Sequence, residues 1–225
     1  MTFPLLLAAG LTEIEANASN YVALLPANLV GTYVYRGELA GVRRHLAFRL
    51  VLSAVGAVVG STILIYTGQA AFQRVIPWLL LVATVSFGVG PWLKERLERN
   101  FAFDAGRWLW LSFVLEFLVY VYGGYFGLGM SFVMFTIYTI FSHMNIHQAN
   151  AVRNITFSLM TMISIAIFAR GGLIRWLPSL VMMAGAVSGG YVAVSFARRL
   201  SAHVIRRGLL FWAICLTGLA FWKYL

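Results

Sequence analysis

Long apolar stretches alternate with short polar segments along the whole 225-residue chain. Mostly apolar windows of about 20 residues are long enough to cross the hydrocarbon core of a bilayer as helices. Two shorter apolar segments, Phe3–Leu11 and Met130–Phe141, are too short for a straight crossing and predict re-entrant half-helices. The pattern predicts seven spans, at residues 17–35, 46–66, 75–93, 108–126, 149–169, 174–197 and 207–224.

Composition indicates the same fold class, an all-α polytopic membrane protein. The chain is 61% hydrophobic and 11% charged, whereas soluble domains have about 25% charged residues. A net charge of +10 would suit nucleic-acid binding, but the basic residues fall in the short loops between predicted spans. We therefore expect a membrane protein that follows the positive-inside rule and has no nucleic-acid partner.

Basic residues divide unequally between the two sides of the predicted bundle. Four lie on the sparse side: Arg74, Arg170, Arg175 and Lys223. Twelve share the other side, provided that segments 108–126 and 130–141 together cross an even number of times: Arg36, Arg43, Arg44, Arg49, Lys94, Arg96, Arg99, Arg107, Arg198, Arg199, Arg206 and Arg207. Cytoplasmic loops are rich in Lys and Arg, so the crowded side is predicted to face the cytoplasm from the inner (cell) membrane.

Similar motifs recur in the same order in the two halves of the chain, although chance similarity between apolar halves is an alternative. The matched pairs are Glu15–Asn20 with Gln148–Asn154, Arg36–Leu39 with Arg170–Leu173, and Gly56–Gly60 with Gly185–Gly189. Arg36 and Arg170 fall on opposite sides, which predicts inverted-topology repeats of the kind found in secondary transporters. One transmembrane domain, residues 1–225, would then hold a first repeat (1–93), a cytoplasmic linker (94–107) and a second repeat (108–225). The matched glycines favour close helix packing.

Four segments together resemble the sulfite exporter TauE/SafE family of membrane permeases. They are FPLLLAAGLTEIEANASNYVALLPANLVGTYVYR (Phe3–Arg36), VIPWLLLVATVSFGVGPWL (Val75–Leu93), YGGYFGLGMSF (Tyr122–Phe132) and NIHQANAVRN (Asn145–Asn154). The resemblance covers nearly the whole chain. It implies a two-repeat transporter of small sulfur-containing anions, such as sulfite or an organosulfonate, although family membership does not fix the substrate.

The start of the chain departs from the family pattern. Members usually carry an apolar helix and a glycine-rich turn before the Phe-Pro segment, whereas here Met1-Thr2-Phe3 resembles Met130-Ser131-Phe132 directly. A start assigned too far downstream and a genuinely shortened form both fit this observation.

Glycines and asparagines supply most of the candidate substrate contacts. Gly127 and Gly129 interrupt an apolar stretch, and exposed backbone N–H groups at a helix start bind anions. Tight helix packing is the alternative. Asn17, Asn20, Asn150 and Asn154 lie near the starts of two spans. N-capping is the alternative for Asn17 and Asn150, while Asn20 and Asn154 lie one turn deeper and are expected to approach a substrate held between the repeats.

Arg153 and Glu116 are the charged candidates inside predicted spans. The Arg153 guanidinium could bind a sulfonate or sulfite with two parallel hydrogen bonds, or extend to lipid headgroups. On a helix, Glu116 shares a face with Ser112, Tyr120 and Gly123. An intramembrane acid is a candidate for a coupling proton, and a structural ion pair is the alternative.

The remaining ionisable residues support no other chemistry. His143 and His147 have i, i+4 spacing, but no Cys or Asp stands near them in sequence, so we expect no metal and no cofactor. His147 stays a candidate proton relay. With Glu116 these histidines are the sole acid–base set for an intramembrane enzyme, and no nucleophile motif accompanies them. The predicted function is therefore a permease for a small anion that works by alternating access, with lipid around it. An anion channel, a non-transporting membrane subunit and a homo-oligomer all stay open.

Overall fold

The computed structural model describes the backbone of residues 2–100, 105–197 and 202–224. The described residues form α-helices joined by short turns and one 3₁₀ segment, Arg36–Val42. The helices are α1 (Thr2–Ala8), α2 (Glu13–Val34), α3 (Arg43–Thr67), α4 (Gln69–Asn100), α5 (Ala105–Tyr125), α6 (Met130–Ile140), α7 (Ile146–Arg170), α8 (Trp176–Ala197) and α9 (Ala202–Tyr224).

Each predicted span corresponds to a long helix, so the all-α polytopic membrane fold is confirmed. By length and composition, three described segments suit a full crossing: Arg36–Thr67, Gln69–Val89 and Ile146–Arg170. Shorter apolar helices cover Leu109–Tyr125, Met130–Ile140 and Trp176–Gly189. Apolar side chains on the outside of the bundle remain largely exposed, for example Tyr66 and Trp222, as lipid contact requires.

Two capping boxes start α2 and α7. The Glu15 N–H donates to Thr12 Oγ1 and the Thr12 N–H donates to Glu15 Oε2, at 3.4 and 3.1 Å. Asn145 and Gln148 make the same reciprocal pair before α7, at 2.8 and 3.2 Å. Glu15 and Gln148 are also the first residues of the matched motifs, so the sequence repeat coincides with a repeated helix start.

These caps correct one interpretation of the sequence. Asn17 and Asn150 do not cap their helices, because each helix begins about one turn earlier, after Thr12 and Asn145. Their amides are available for other contacts.

α5 and α6 form a helical hairpin. Their hydroxyl pairs run antiparallel: Tyr120 and Tyr138 lie 2.8 Å apart, and Ser112 and Ser142 lie 2.9 Å apart. The 11-residue α6 is about 16 Å long, roughly half the hydrocarbon thickness. It therefore returns toward the end from which α5 entered, as expected of a re-entrant half-helix, and the hairpin adds no net crossing.

α2 and α7 pack antiparallel at the centre of the bundle. Thr32 Oγ1 lies 3.1 Å from Ser158 Oγ near one end, and the rings of Tyr21 and Phe168 meet at 5.4 Å near the other. Opposite directions for the two matched helices agree with inverted repeats, which otherwise stay a prediction. We call the end that carries Arg43 and Arg44 the arginine-rich end.

The matched glycine pairs differ in their surroundings. A Cβ on Gly60 would lie 2.1 Å from the Val121 carbonyl oxygen of α5, so Gly56 and Gly60 allow α3 to pack closely on that helix. No atom of a described residue would lie within 4 Å of a Cβ on Gly185 or Gly189. Close packing is thus confirmed for the first pair alone, and the second pair forms an open surface on α8.

The two glycine pairs provide a matched stability test. Gly60→Ala should lower the free energy of unfolding by about 1–3 kcal/mol, because the added methyl overpacks the α3–α5 contact. Gly189→Ala should be neutral or stabilise by up to about 1 kcal/mol, since alanine favours the helix and finds open space. Thermal unfolding of the purified proteins in detergent would measure both, and a Gly60→Ala protein as stable as the wild type would contradict the packing described.

Candidate functional site

The tip of the α5–α6 hairpin is held by side chains of α2. Asn17 Nδ2 donates to the Tyr125 carbonyl oxygen at 2.9 Å, and the buried Tyr21 hydroxyl donates to the Gly123 carbonyl oxygen. The last carbonyls of a helix have no partner within it, and a membrane offers no water to replace one. Asn17 and Tyr21 therefore satisfy a helix end inside the bundle.

Gly127 and Gly129 make the turn at this tip. Their φ angles are +75° and +78°, in the left-handed region that favours glycine. A Cβ on Gly129 would also lie 2.8 Å from Ala83 Cα of α4. The glycine-rich break is thus a tight turn whose backbone is packed against α2 and α4.

A cavity of about 70 Å³ lies beside the tip. Its polar groups come from α2, from α7 and from the backbone of the turn. Its walls are Asn20, Tyr21, Leu24, Asn28, Phe126, Gly127, Leu128, Met130 and Thr161. Asn28 and Thr161 were not predicted from the sequence, although the Pro-Ala-Asn break at Pro26–Asn28 inside an apolar span is a recognisable signal.

A second cavity of about 410 Å³ adjoins the first at Asn20 and Leu128. Apolar side chains of α1, α2, α4, α6 and α9 form most of its walls, together with Gly129. Lys223 and Tyr224 lie at the end opposite the arginine-rich end. This cavity therefore leads from the hairpin tip toward that opposite end.

Glu13 joins three helices at the same end. Its carboxylate accepts hydrogen bonds from Tyr224 Oη at 2.5 Å and from Gln73 Nε2 at 3.0 Å. Lys223 Nζ lies 3.9 Å away. These contacts join the starts of α2 and α4 to the end of α9 beside the larger cavity.

The second group of predicted site residues lies elsewhere. Arg153 is half-buried and its Nη2 donates to Asn154 Oδ1 at 3.3 Å. The Asn154 side chain packs on Gly31, where a Cβ would lie 2.7 Å from it. Gly31 follows Asn20 by eleven residues on α2, about 16 Å along the helix axis. Asn20 therefore lines the same cavities as Gly127 and Gly129, whereas Asn154 lies apart from them.

Asn150 and the histidines are more peripheral. Asn150 Nδ2 donates to the Ile146 carbonyl oxygen of its own helix at 2.9 Å. His143 and His147 are exposed, and the His147 ring lies 6.2 Å from that of Tyr35. Among the residues whose placement is described, no group of three or more His, Cys, Asp or Glu side chains could hold a metal ion.

A buried ion pair lies nearer the arginine-rich end. Arg49 Nη1 of α3 donates to Glu116 Oε1 of α5 at 2.5 Å, and the two side chains are 1% and 0% exposed. Ser112 Oγ also donates to Glu116 Oε1, at 2.7 Å. Arg49 Nη2 donates to Ser142 Oγ, in the α6–α7 turn, at 2.8 Å. The pair connects α3 with both arms of the hairpin.

Burial of Arg49 corrects its assignment to a cytoplasmic loop, so eleven residues remain in the basic set of the crowded side. The signal was present in the sequence, because Arg49, Ser53, Gly56 and Gly60 share one helix face and all are buried. Glu116 likewise has the expected neighbours: Ser112 and Tyr120 on the same face are fully buried.

Comparison with known proteins identifies the family. A family profile described as Sulfite exporter TauE/SafE matches residues 1–221. The chain belongs to the sulfite exporter TauE/SafE family. The resemblance inferred from the four quoted segments is thus confirmed, and this TauE/SafE family member is a multi-pass membrane transporter.

One relative extends the family match. The chain is 24% identical over 208 residues to a "Probable membrane transporter protein" of Haemophilus influenzae (strain ATCC 51907 / DSM 11121 / KW20 / Rd). The alignment covers 92% of this chain and 79% of that relative. No solved structure matches this TauE/SafE sequence.

The buried ion pair of this TauE/SafE protein should control its stability. Arg49→Ala should destabilise it by about 3–5 kcal/mol, because Glu116 would remain as an unpaired buried charge. The double variant Arg49→Met/Glu116→Met should recover most of that loss, since it removes both charges. Thermal unfolding in detergent would measure both changes.

An exposed ion pair provides the control for that test. Arg175 Nη2 lies 2.6 Å from Glu15 Oε1, but the Arg175 side chain is 59% exposed. Arg175→Ala should therefore change the stability by about 0–1 kcal/mol. Equal losses in Arg49→Ala and Arg175→Ala would show that burial of the first pair has no energetic consequence.

Proposed function

We propose that this TauE/SafE family transporter moves a small anion, sulfite or an organosulfonate, across the cell membrane by alternating access. The observation that carries the proposal is the cavity at the hairpin tip, where polar groups meet inside an apolar bundle. Its amide and hydroxyl groups come from Asn20, Asn28 and Thr161. Such groups can donate hydrogen bonds to an anion without placing a fixed charge in the membrane.

The broken backbone adds to the anion preference. α6 starts at Met130, which lines the cavity, so the N-terminal end of this helix is directed to the same space. N–H groups and the helix dipole favour negative charge at such an end. Discontinuous helices with this arrangement hold anionic substrates in secondary transporters.

The shape of the interior supports access from one side at a time. The hairpin-tip cavity adjoins the larger cavity that leads away from the arginine-rich end. In the other direction, Met134 and Tyr138 lie one and two turns beyond Met130 on α6, and both are fully buried. Movement of the short α6 relative to α5 and α7 would open the second route, with the arginine-rich end in the cytoplasm.

Arg153 is the proposed guanidinium on that second route. It is half-buried on α7 at the arginine-rich end, where an arriving or departing anion would pass. A planar guanidinium can bind a sulfonate or sulfite through two parallel hydrogen bonds.

Transport in proteoliposomes tests the substrate and the site. The purified protein should move at least one of sulfite, sulfoacetate and thiosulfate, and should discriminate against simple carboxylates. Asn20→Ala and Thr161→Ala should each slow this transport about tenfold, the loss expected from one hydrogen bond to a charged group. Thr67→Ala, on an exposed helix end, should have no effect. Equal transport rates in all three variants would show that the cavity is not part of the transport path.

Arg153 has a matched control on its own helix. Arg153→Ala should abolish anion transport while leaving expression intact, whereas Arg170→Ala, at the exposed far end of α7, should transport normally. Retained transport by Arg153→Ala would show that its guanidinium is not part of the path. Flux above about 10⁵ anions per second would indicate a channel, since alternating access is limited to μs–ms motions. Absence of any anion flux would indicate a non-transporting membrane subunit.

A further inference from the structure

We propose that Arg49 and Glu116 form a second, proton-controlled site for a singly charged oxyanion. The inference rests on the proposed function, because it assigns the coupling ion and the charge class of the anion to the same transporter. In the structure, the Glu116 carboxyl group is hydrogen-bonded to the Arg49 guanidinium. Protonation of Glu116 would release that guanidinium to the anion, so one proton and one anion would enter together.

Hydrogen bonding around the pair is incomplete, which makes the exchange chemically reasonable. Arg49 Nε and Glu116 Oε2 are buried and have no hydrogen-bond partner among the described residues. Arginine and a carboxylate can form two parallel hydrogen bonds, but this pair uses one, from Nη1 to Oε1. The guanidinium therefore retains a donor, Nε, for an oxyanion.

The positions of Ser112 and Ser142 suit the same exchange. Their hydroxyl groups lie 2.9 Å apart, between the carboxylate and the guanidinium. A hydroxyl both donates and accepts. When Glu116 carries a proton, Ser112 can donate to the oxyanion in place of the carboxylate.

Charge balance selects the class of anion. With Glu116 ionised, the pair has no net charge. With Glu116 protonated, Arg49 is left as a buried cation, which is costly unless an anion of charge −1 replaces the carboxylate. An organosulfonate or hydrogen sulfite restores neutrality, whereas a divalent anion leaves a buried negative charge. The proton moves from solvent to Glu116, and no covalent bond other than the carboxyl O–H is formed or broken.

The cluster is fixed in position but thinly covered. The guanidinium lies 4.9 Å from the ring centroid of Tyr138 and 5.2 Å from that of Phe113, so aromatic rings hold its orientation. Ser142 belongs to the α6–α7 turn, and the next residue, His143, is exposed with a left-handed φ of 49°. Displacement of this turn would bring the Arg49 site into contact with the arginine-rich end.

Other charged and titratable groups surround the cluster on every packed helix. α3 contributes His45, which interacts electrostatically with Arg49. The Tyr120 and Tyr138 hydroxyls of α5 and α6 interact with Glu116, and Arg153 of α7 interacts with Tyr138. The tyrosines stay neutral at neutral pH and arginine stays charged. His45 and the exposed His143, which follows Ser142, are thus the rival titratable groups, and His45 serves as the control.

Binding of methanesulfonate to the detergent-solubilised wild-type protein is the primary test, because it requires no transport. Binding should strengthen as the pH is lowered and should be accompanied by uptake of one proton. Sulfate, a divalent anion, should bind more weakly at every pH. Methanesulfonate binding that is independent of pH, or undetectable, would overturn the proposal whether or not the protein transports anions.

Substitutions test which residue takes up the proton that accompanies binding. Glu116→Gln mimics the protonated acid and should bind methanesulfonate equally at all pH values, more tightly than the wild type at alkaline pH. His45→Gln should keep the wild-type pH dependence. Loss of that dependence in His45→Gln, with retention in Glu116→Gln, would overturn the assignment. If Glu116→Gln does not fold, the double variant Arg49→Met/Glu116→Met should still lose proton-linked binding. Retention of proton-linked binding in that double variant would overturn the proposal.

Proteoliposome flux separates this inference from the proposed function. Proton-linked binding without flux would support the Arg49–Glu116 site and would show that the protein is not a permease for that anion. Anion flux without proton movement, measured with a trapped pH-sensitive dye, would support the permease function and would show that transport is not coupled to protonation of Glu116.

Discussion

Every polar backbone group inside a bilayer needs a protein partner, and the break between α5 and α6 leaves helix-end carbonyl groups under that constraint. Glycines allow the turn, but they do not satisfy the carbonyl groups that α5 leaves behind. Asn17 and Tyr21 of α2 supply those partners. The same contacts fix α2 against the hairpin tip, and Asn20 and Asn28 of that helix line a small interior cavity. A requirement of stability thus places the candidate binding site.

The second constraint is electrostatic. Arg49 and Glu116 lose their hydration in the bundle and compensate each other, together with two serines. Because Ser142 lies in the turn after α6, the ion pair connects the short, re-entrant arm to α3. The hairpin is therefore held at its tip by neutral hydrogen bonds and at its base by a charged cluster. In the proposed transport cycle, this hairpin is the segment that moves.

Local features of the sequence predicted the fold well. Span lengths, the glycine-rich break and the short segment Met130–Phe141 each depend on neighbouring residues, so the helices and the re-entrant arm could be inferred. The candidate site depended on long-range packing and was predicted only in part. Asn20, Gly127 and Gly129 meet as expected, whereas Asn154 lies elsewhere, because antiparallel packing of α2 on α7 places the ends of the matched motifs apart. Arg49 was counted with the loop residues, although it shares one helix face with Ser53, Gly56 and Gly60. Its partner Glu116 lies on another helix, so the ion pair itself could not be inferred from local sequence.

A small anion is proposed to bind at the hairpin tip, and locating a heavy-atom analogue of sulfite would test this binding site. Crystals of the protein grown with selenite would reveal the anion through the anomalous scattering of selenium. If the anion binds at the hairpin tip, a selenium peak should appear between Asn20 and Thr161, beside the start of α6, and should disappear in the Asn20→Ala protein. Selenium bound only at the outer surface, or a peak that is unchanged in Asn20→Ala, would show that the anion does not bind at the hairpin tip.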